Sequence, residues 1–229
     1  VSTQVAGSAS TRHLPSIDGR RALALLAALV AARALVYAAL GAGLVLDDWT
    51  SVGNREFVGI AHISEHDMLL SRPLAWLVFT GLYGVSGPHP LVLLTFVTLA
   101  NVAAVWALYL LVRRYFDATT ALAIAAAWVI VPNHNAMTVW AANAQSVVAF
   151  TLLAIGAYLL SRGHWVVPAL AFAGAVLGYQ LTILPAVAGA VLIGTPLMAL
   201  GRDASAPVRR IRLGHRAAIL GAIGLASAW

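Results

Sequence analysis

Between Ala22 and Leu46 the sequence has one charged side chain, Arg33, and its apolar residues fall on every face of a helical wheel. A helix on a soluble protein keeps its apolar residues on one stripe, whereas a segment apolar all round must be surrounded by hydrocarbon or by protein. The same texture returns over Pro90–Val112, Ala118–Val131, Met137–Leu160 and Trp165–Leu181, and from a turn at Pro185 to about Leu200. The whole chain is 61% hydrophobic and 10% charged, against roughly 25% charged in soluble domains. These features predict an all-α, polytopic transmembrane helical bundle with six spans over residues 20–200. Pro73–Ser86 is apolar but ends at Gly87-Pro88, well short of the roughly 20 residues a crossing needs. It reads as interfacial or re-entrant. Ala217–Trp229 reads as the start of a further span, which makes the chain the N-terminal part of a longer protein. The first apolar run exceeds the roughly 7–15 residues of a secretory signal and has no convincing cleavage site, so it reads as a retained span.

The charges orient this layout. All 14 basic residues are arginines. Arg12, Arg20, Arg21, Arg113, Arg114, Arg162, Arg202, Arg209, Arg210, Arg212 and Arg216 fall in one alternating set of loops, provided Pro73–Ser86 does not cross. The positive-inside rule places that set in the cytoplasm, with the polar tail 1–19 and the basic loop 201–216. The other side holds Asp47, Asp48, Glu56, Glu65 and Asp67 against Arg55 and Arg72. The net charge of +6 thus has a topological meaning that needs no nucleic acid and favours anionic membrane lipid. The chain has no cysteine, which excludes disulfides and thiolate metal sites. Arginine-only usage and double-arginine flanks point to a multi-pass protein of a bacterial plasma membrane.

The first outer loop carries most of the candidate chemistry. Asp47-Asp48 lies where a carboxylate can take a proton from a hydroxyl or hold a cation; the same doublet also suits a plain span terminus. His62-Ile63-Ser64-Glu65-His66 matches the H-x-x-E-H pattern of inverted zinc proteases. On one helix His62 and His66 would share a face beside Glu65. The same stretch also reads as an amphipathic interfacial helix, with Phe57, Ile60, Ala61, Ser64 and Met68 at helical spacing. Arg72-Pro73 suits recognition of a lipid-linked phosphate, or simple snorkelling. His134, Asn135, Asn143 and Gln145 around the turn into the fourth span, and Tyr179-Gln180, fall on the same side as Asp47. They serve either a substrate or interhelical hydrogen bonds. Arg33, near the middle of the first span, reads either as facing the bundle or a cavity, where a lipid phosphate or a carboxylate would pair with it, or as tolerated by helix tilt and snorkelling.

In order, these features resemble the GT-C superfamily of membrane glycosyltransferases, in particular the protein mannosyltransferase and lipid A aminoarabinose transferase branches. The resemblance rests on the first span ending in Asp47-Asp48, an amphipathic outer loop, and Arg72-Pro73-Leu74 leading through Leu82-Tyr83-Gly84 and Pro88. It continues in a span ending Leu110-Leu111-Val112-Arg113-Arg114-Tyr115-Phe116 and in the stretch from Tyr179 to Pro185. It implies inverting transfer of a sugar from a polyprenyl-phosphate donor to a glycan, lipid or protein acceptor on the non-cytoplasmic face. In that reading Asp47 or Asp48 acts as base or as part of an acceptor site; Arg72, by its charge and place, is the candidate to meet the departing phosphate. His62, Glu65, His66, His134, Asn143, Gln145 and Gln180 are the substrate-site candidates. A divalent cation, Mg²⁺ or Mn²⁺, would be the cofactor if there is one. The chain departs from the pattern where some branches carry an acid near the start of the fourth span, here Asn143 and Gln145, and an acid or lysine near Tyr179, here Gln180. The rival readings are a transporter or flippase with a pathway lined by Arg33, Asn143 and Gln145, and a non-enzymatic membrane scaffold.

Overall fold

The computed structural model describes residues 18–44, 47–59, 62, 66–131, 140–193 and 212–228, and every regular element among them is a helix. In chain order these are α1 (Gly19–Ala39), α2 (Asp47–Phe57), α3 (His66–Ser71), α4 (Pro73–Ser86), α5 (Pro90–Val112), α6 (Ala118–Ile130), α7 (Ala144–Ser161), α8 (Val166–Gly178), α9 (Ile183–Leu192) and α10 (Leu213–Ala228). Short 3₁₀ turns, Ala141–Asn143 and Gln180–Thr182, lead into α7 and α9. Three helices are long and apolar enough to cross a membrane: Gly19–Ala39, Pro90–Val112 and Ala141–Ser161. The other apolar helices, α4, α6, α8, α10 and Gln180–Leu192, have 10–17 residues.

Helix α5 is the hub, packed against α1, α4, α6 and α7, while α8 packs on α7, α10 and α4. Three apolar clusters hold these contacts. Ala22, Leu26 and Val30 of α1 meet Val105 and Tyr109 of α5 and Ala121, Ala125 and Val129 of α6. The four-residue spacing on α1 and α6 puts each trio on one helix face. A second cluster joins Leu160, Phe172, Val176, Ala186, Ala190, Ile219 and Ile223 across α7 to α10. The third, Val52, Phe79, Leu82, Tyr83, Leu93, Val97 and Ala142, ties α2 and α4 to α5 and the turn before α7. Small residues set the spacing of α7 and α8: a Cβ added at Gly156 would lie 2.8 Å from the Phe172 ring. Outward faces stay apolar, with Leu35, Val36, Leu99, Leu170 and Leu184 exposed, as suits a hydrocarbon surround.

Several boundaries differ from the sequence expectation. The first helix ends at Ala39, not near Leu46, because Gly41 takes a φ of +91° that stops a right-handed helix. Pro185 lies inside α9, two residues after its start, where a missing N–H costs nothing; the turn itself is the 3₁₀ segment before it. Helix α10 begins at Leu213, upstream of Ala217, and so includes Arg216. A single helix across 57–68 does not form. Gly59 has a φ of +112° just after α2 ends at Phe57, and α3 starts at His66.

Two arginines close the ends of short helices. Arg33 of α1 donates to the carbonyl of Val129 in the last turn of α6. Arg216 of α10 donates through Nη1 to the Ala190 carbonyl at 2.9 Å and to that of Val191, and through Nη2 to Ile193 at 3.0 Å. Terminal carbonyls have no partner within their own helix, and a guanidinium matches both their geometry and the negative end of the helix dipole.

Candidate functional site

Helix α2 presents two different faces. Asp48, Ser51 and Val52 are buried, whereas Asp47, Trp49 and Phe57 are exposed. Asp47 and Asp48 both occupy its first turn, where the positive end of the helix dipole favours carboxylates. Their surroundings then separate them. Asp48 is 2% exposed. Its Oδ1 accepts from the Tyr83 hydroxyl at 2.5 Å and from the backbone N–H of Ala142 at 2.9 Å. Tyr83 has no exposed surface. Burial, with the Asp48 carboxylate as hydrogen-bond acceptor and nearby charge, pushes its phenol above the ordinary tyrosine range. The phenol thus stays a donor, as a buried tyrosine hydroxyl must find a partner.

At its other end α2 is tied to α4 again. Arg55 Nη2 reaches the Gly84 carbonyl at 3.4 Å, and the same guanidinium pairs with Glu56. It lies over Gly87, where an added Cβ would be 3.3 Å from Nη1. Gly87 has a φ of +55° at the end of α4, a backbone shape that favours glycine.

Beside this latch lies a polar cavity of about 530 Å³. Its wall comprises Asp47, Thr50, Ser51 and Asn54 of α2, Met68 of α3, Arg72 and Phe79 at α4, and Trp140, Ala142, Asn143 and Gln145 around the start of α7. This size fits a small-molecule ligand. Four residues singled out from sequence, Asp47, Arg72, Asn143 and Gln145, meet in this wall. Arg72 is the N-cap residue of α4, so a positive side chain and the positive end of the helix dipole lie at the same place. Arg33 does not line the cavity.

The remaining expectations divide. Asp48 is near the cavity but not in its wall; its oxygens are turned into the protein. Gln180 is exposed on its 3₁₀ turn and His62 is exposed after α2; neither lines the cavity. Glu65, His134, Asn135 and the His66 side chain lie outside the described residues. His62 follows α2 and His66 lies in α3; residues 63–65 between them, and with them the H-x-x-E-H reading, lie outside the described residues. Among the described residues no three histidine or acidic side chains gather as a metal site. Among the described residues the cavity wall holds one carboxylate, an arginine and neutral amides. Sequence reasoning overlooked Tyr83 as a site residue, along with Trp140 and the polar face Thr50, Ser51 and Asn54. The signal for Tyr83 was a tyrosine inside an apolar helix.

The apolar grooves elsewhere have a different character. One between α1 and α5 is lined by Ala31, Ala34, Leu35, Leu94 and Thr98, among others, and another between α4 and α5 by Leu77, Gly81, Val85 and Phe96. Among the described residues neither brings together titratable groups. In comparisons with known proteins, no family model, no curated protein and no solved structure matches this chain.

Proposed function

We propose that this protein is a polytopic membrane glycosyltransferase, with its N-terminus in the cytoplasm of a bacterial cell and its cavity opening on the opposite face of the plasma membrane. The observation that carries the proposal is the cavity itself: it gathers Asp47, Arg72, Asn143 and Gln145 from three separate parts of the chain. In this reading the donor is a polyprenyl-phosphate sugar and the acceptor a hydroxyl of a glycan, lipid or protein. The acceptor oxygen bonds to the anomeric carbon as the bond from that carbon to the phosphate oxygen breaks. Asp47 takes the acceptor proton. The phosphate leaves on its lipid, with Arg72 beside the charge that develops on it. Holding acceptor and donor in one wall supplies the alignment that an inverting displacement needs. Asp48 keeps α2 in place and is not the base.

The test is sugar transfer in membranes from radiolabelled lipid-linked donors. Asp47→Asn is expected to lower transfer by roughly 10²–10⁴-fold, the usual worth of a positioned base, with an unchanged protein level. Full transfer by Asp47→Asn would end the proposal. A parallel liposome assay covers the transport alternative, in which substrate would cross without a new glycosidic bond.

A further inference from the structure

We infer that the seam between the N-terminus of α1 and the C-terminus of α5 binds an anionic phospholipid of the surrounding membrane, with Arg113, Arg20 and Arg21 at its headgroup. This site stands apart from the cavity at α2 and does not depend on sugar transfer there. Gly19 opens α1 and Arg113 is the C-cap residue of α5. Both helices are long and apolar enough to cross a membrane, so their shared end lies at headgroup depth. The Arg113 side chain is laid across this end: a Cβ added at Gly19 would collide with its Nη1. Its Cζ is 5.9 Å from the centre of the Tyr109 ring one turn back. Arg114 is turned elsewhere and donates to the Ser161 carbonyl at 3.3 Å. Arg20 and Arg21 follow Gly19 directly and are exposed, as is Arg113. Helical side chains lean toward the N-terminus of their helix, which carries both toward the end where Arg113 lies. The positive end of the α1 dipole adds to the same field.

The chain holds little to neutralise these cations. On the arginine-rich side the whole sequence offers three acids, Asp18, Asp117 and Asp203, against eleven arginines, and residues 1–17 contain no acid at all. Asp18 caps α1 by accepting from the Arg20 backbone N–H at 3.4 Å, and it is one charge against three. Asp117 caps α6, accepting from the N–H groups of Thr119 and Thr120 and from the Thr120 hydroxyl. Asp203 lies in sequence among Arg202, Arg209 and Arg210. Among the described residues no ion pair reaches Arg20, Arg21 or Arg113. A lipid phosphodiester at this depth supplies the anion, and a guanidinium matches it well. Seven residues deeper, two helical turns along the same face of α5, Trp106 Nε1 donates to the Leu23 carbonyl of α1 at 2.9 Å. The indole thus bridges the seam about 10 Å below Arg113, with its residue 39% exposed. Cations at the headgroup level with an exposed aromatic surface beneath them fit a phosphate that carries acyl chains better than a free one.

The experiment titrates phosphatidylglycerol and phosphatidylcholine of identical acyl chains into the purified full chain in detergent and reads binding by native mass spectrometry. Phosphatidylglycerol is expected to bind at least about 10-fold more tightly, since each arginine near anionic lipid contributes about 5-fold. Arg113→Gln is expected to lose about 5-fold for phosphatidylglycerol and nothing for phosphatidylcholine, whose retained binding shows that the variant is folded. Gly19→Ala alters no charge but forces the Arg113 guanidinium off the end of α1; a loss of about 3- to 5-fold is expected. Arg162→Gln removes the same charge at the end of α7 and is expected to change neither lipid. Equal binding of the two lipids overturns the site. So does wild-type affinity in Gly19→Ala, or an Arg162→Gln loss as large as that of Arg113→Gln, because either means diffuse attraction to overall charge. Inorganic phosphate, titrated in parallel to millimolar concentration, is expected to displace no lipid; displacement would assign these arginines to a soluble anion and overturn the lipid assignment.

Discussion

Asp47 and Asp48 are adjacent on one helical turn, and about 100° of rotation between neighbours sends one carboxylate to the cavity and the other into the protein. The buried one holds two donors at once, Tyr83 Oη and Ala142 N–H. Asp48→Ala leaves both without an acceptor, and each unpaired buried donor costs about 1–3 kcal/mol. A stability loss of about 2–5 kcal/mol in thermal unfolding of the detergent-solubilised protein is the expected outcome, against a small effect for Asp47→Asn. The Tyr83 phenol is held above the ordinary tyrosine range by burial and by Asp48. A group whose pKa rises on folding stabilises fully below its unfolded value and loses that contribution above it. Unfolding temperatures measured across pH should therefore fall more steeply beyond about pH 10 in wild type than in Tyr83→Phe, which has no phenol to ionise. The acidic doublet was legible in the sequence as a site, but its division of labour was not. The phase of α2 is set by how Val52 and Ser51 pack against α4 and the turn before α7, a tertiary fact that no spacing in the sequence encodes. Tyr83 was hidden for the same reason: its partner lies 35 positions away.

At the scale of elements, helix α2 behaves as a strut, fastened to α4 by Asp48 at one end and Arg55 at the other. The pairing of α7 with α8 is of another kind, dependent on the absence of side chains. At Gly156 a methyl group would meet Phe172 Cε1 at 2.8 Å and Cδ1 at 2.9 Å. Gly156→Ala is expected to cost about 1–3 kcal/mol by overpacking, measured as a lowered unfolding temperature, and Phe172→Leu in the same chain should recover part of it. The existence of most helices was readable from apolar runs alone, because lipid-facing and core-facing residues are both apolar and the run length carries the signal. Their ends were harder. Gly41 and Gly59 stop helices through positive φ, and only coordinates show that these glycines, among the 19 in the chain, use that freedom to do so. Pro185 misled for the opposite reason, since a proline in the first turn of a helix and a proline in a turn look alike in sequence.

At the scale of the whole molecule, the arginine pattern predicts which end faces the cytoplasm, and the chain is well suited to a direct check. It contains no cysteine, so single cysteines introduce unique labels. Trp49 is 63% exposed on α2, beside the cavity, and Arg162 is exposed at the end of α7. A membrane-impermeant maleimide applied to intact cells should modify Trp49→Cys at once and Arg162→Cys only after the membrane is opened. The reverse pattern would invert the topology and put the cavity on the wrong side for a lipid-linked donor. One further consequence concerns Arg33, the lone charge of the first apolar run. Helix α6 stops at Ile130, too early for a full crossing, and the Arg33 guanidinium supplies the donor that its terminal carbonyl lacks. In hydrocarbon an orphan carbonyl costs several kcal/mol, so this arginine works as a borrowed plug for another helix. It should be left out when positive charges are tallied to decide sidedness, and its replacement by leucine, which hydropathy would score as an improvement, should loosen α6.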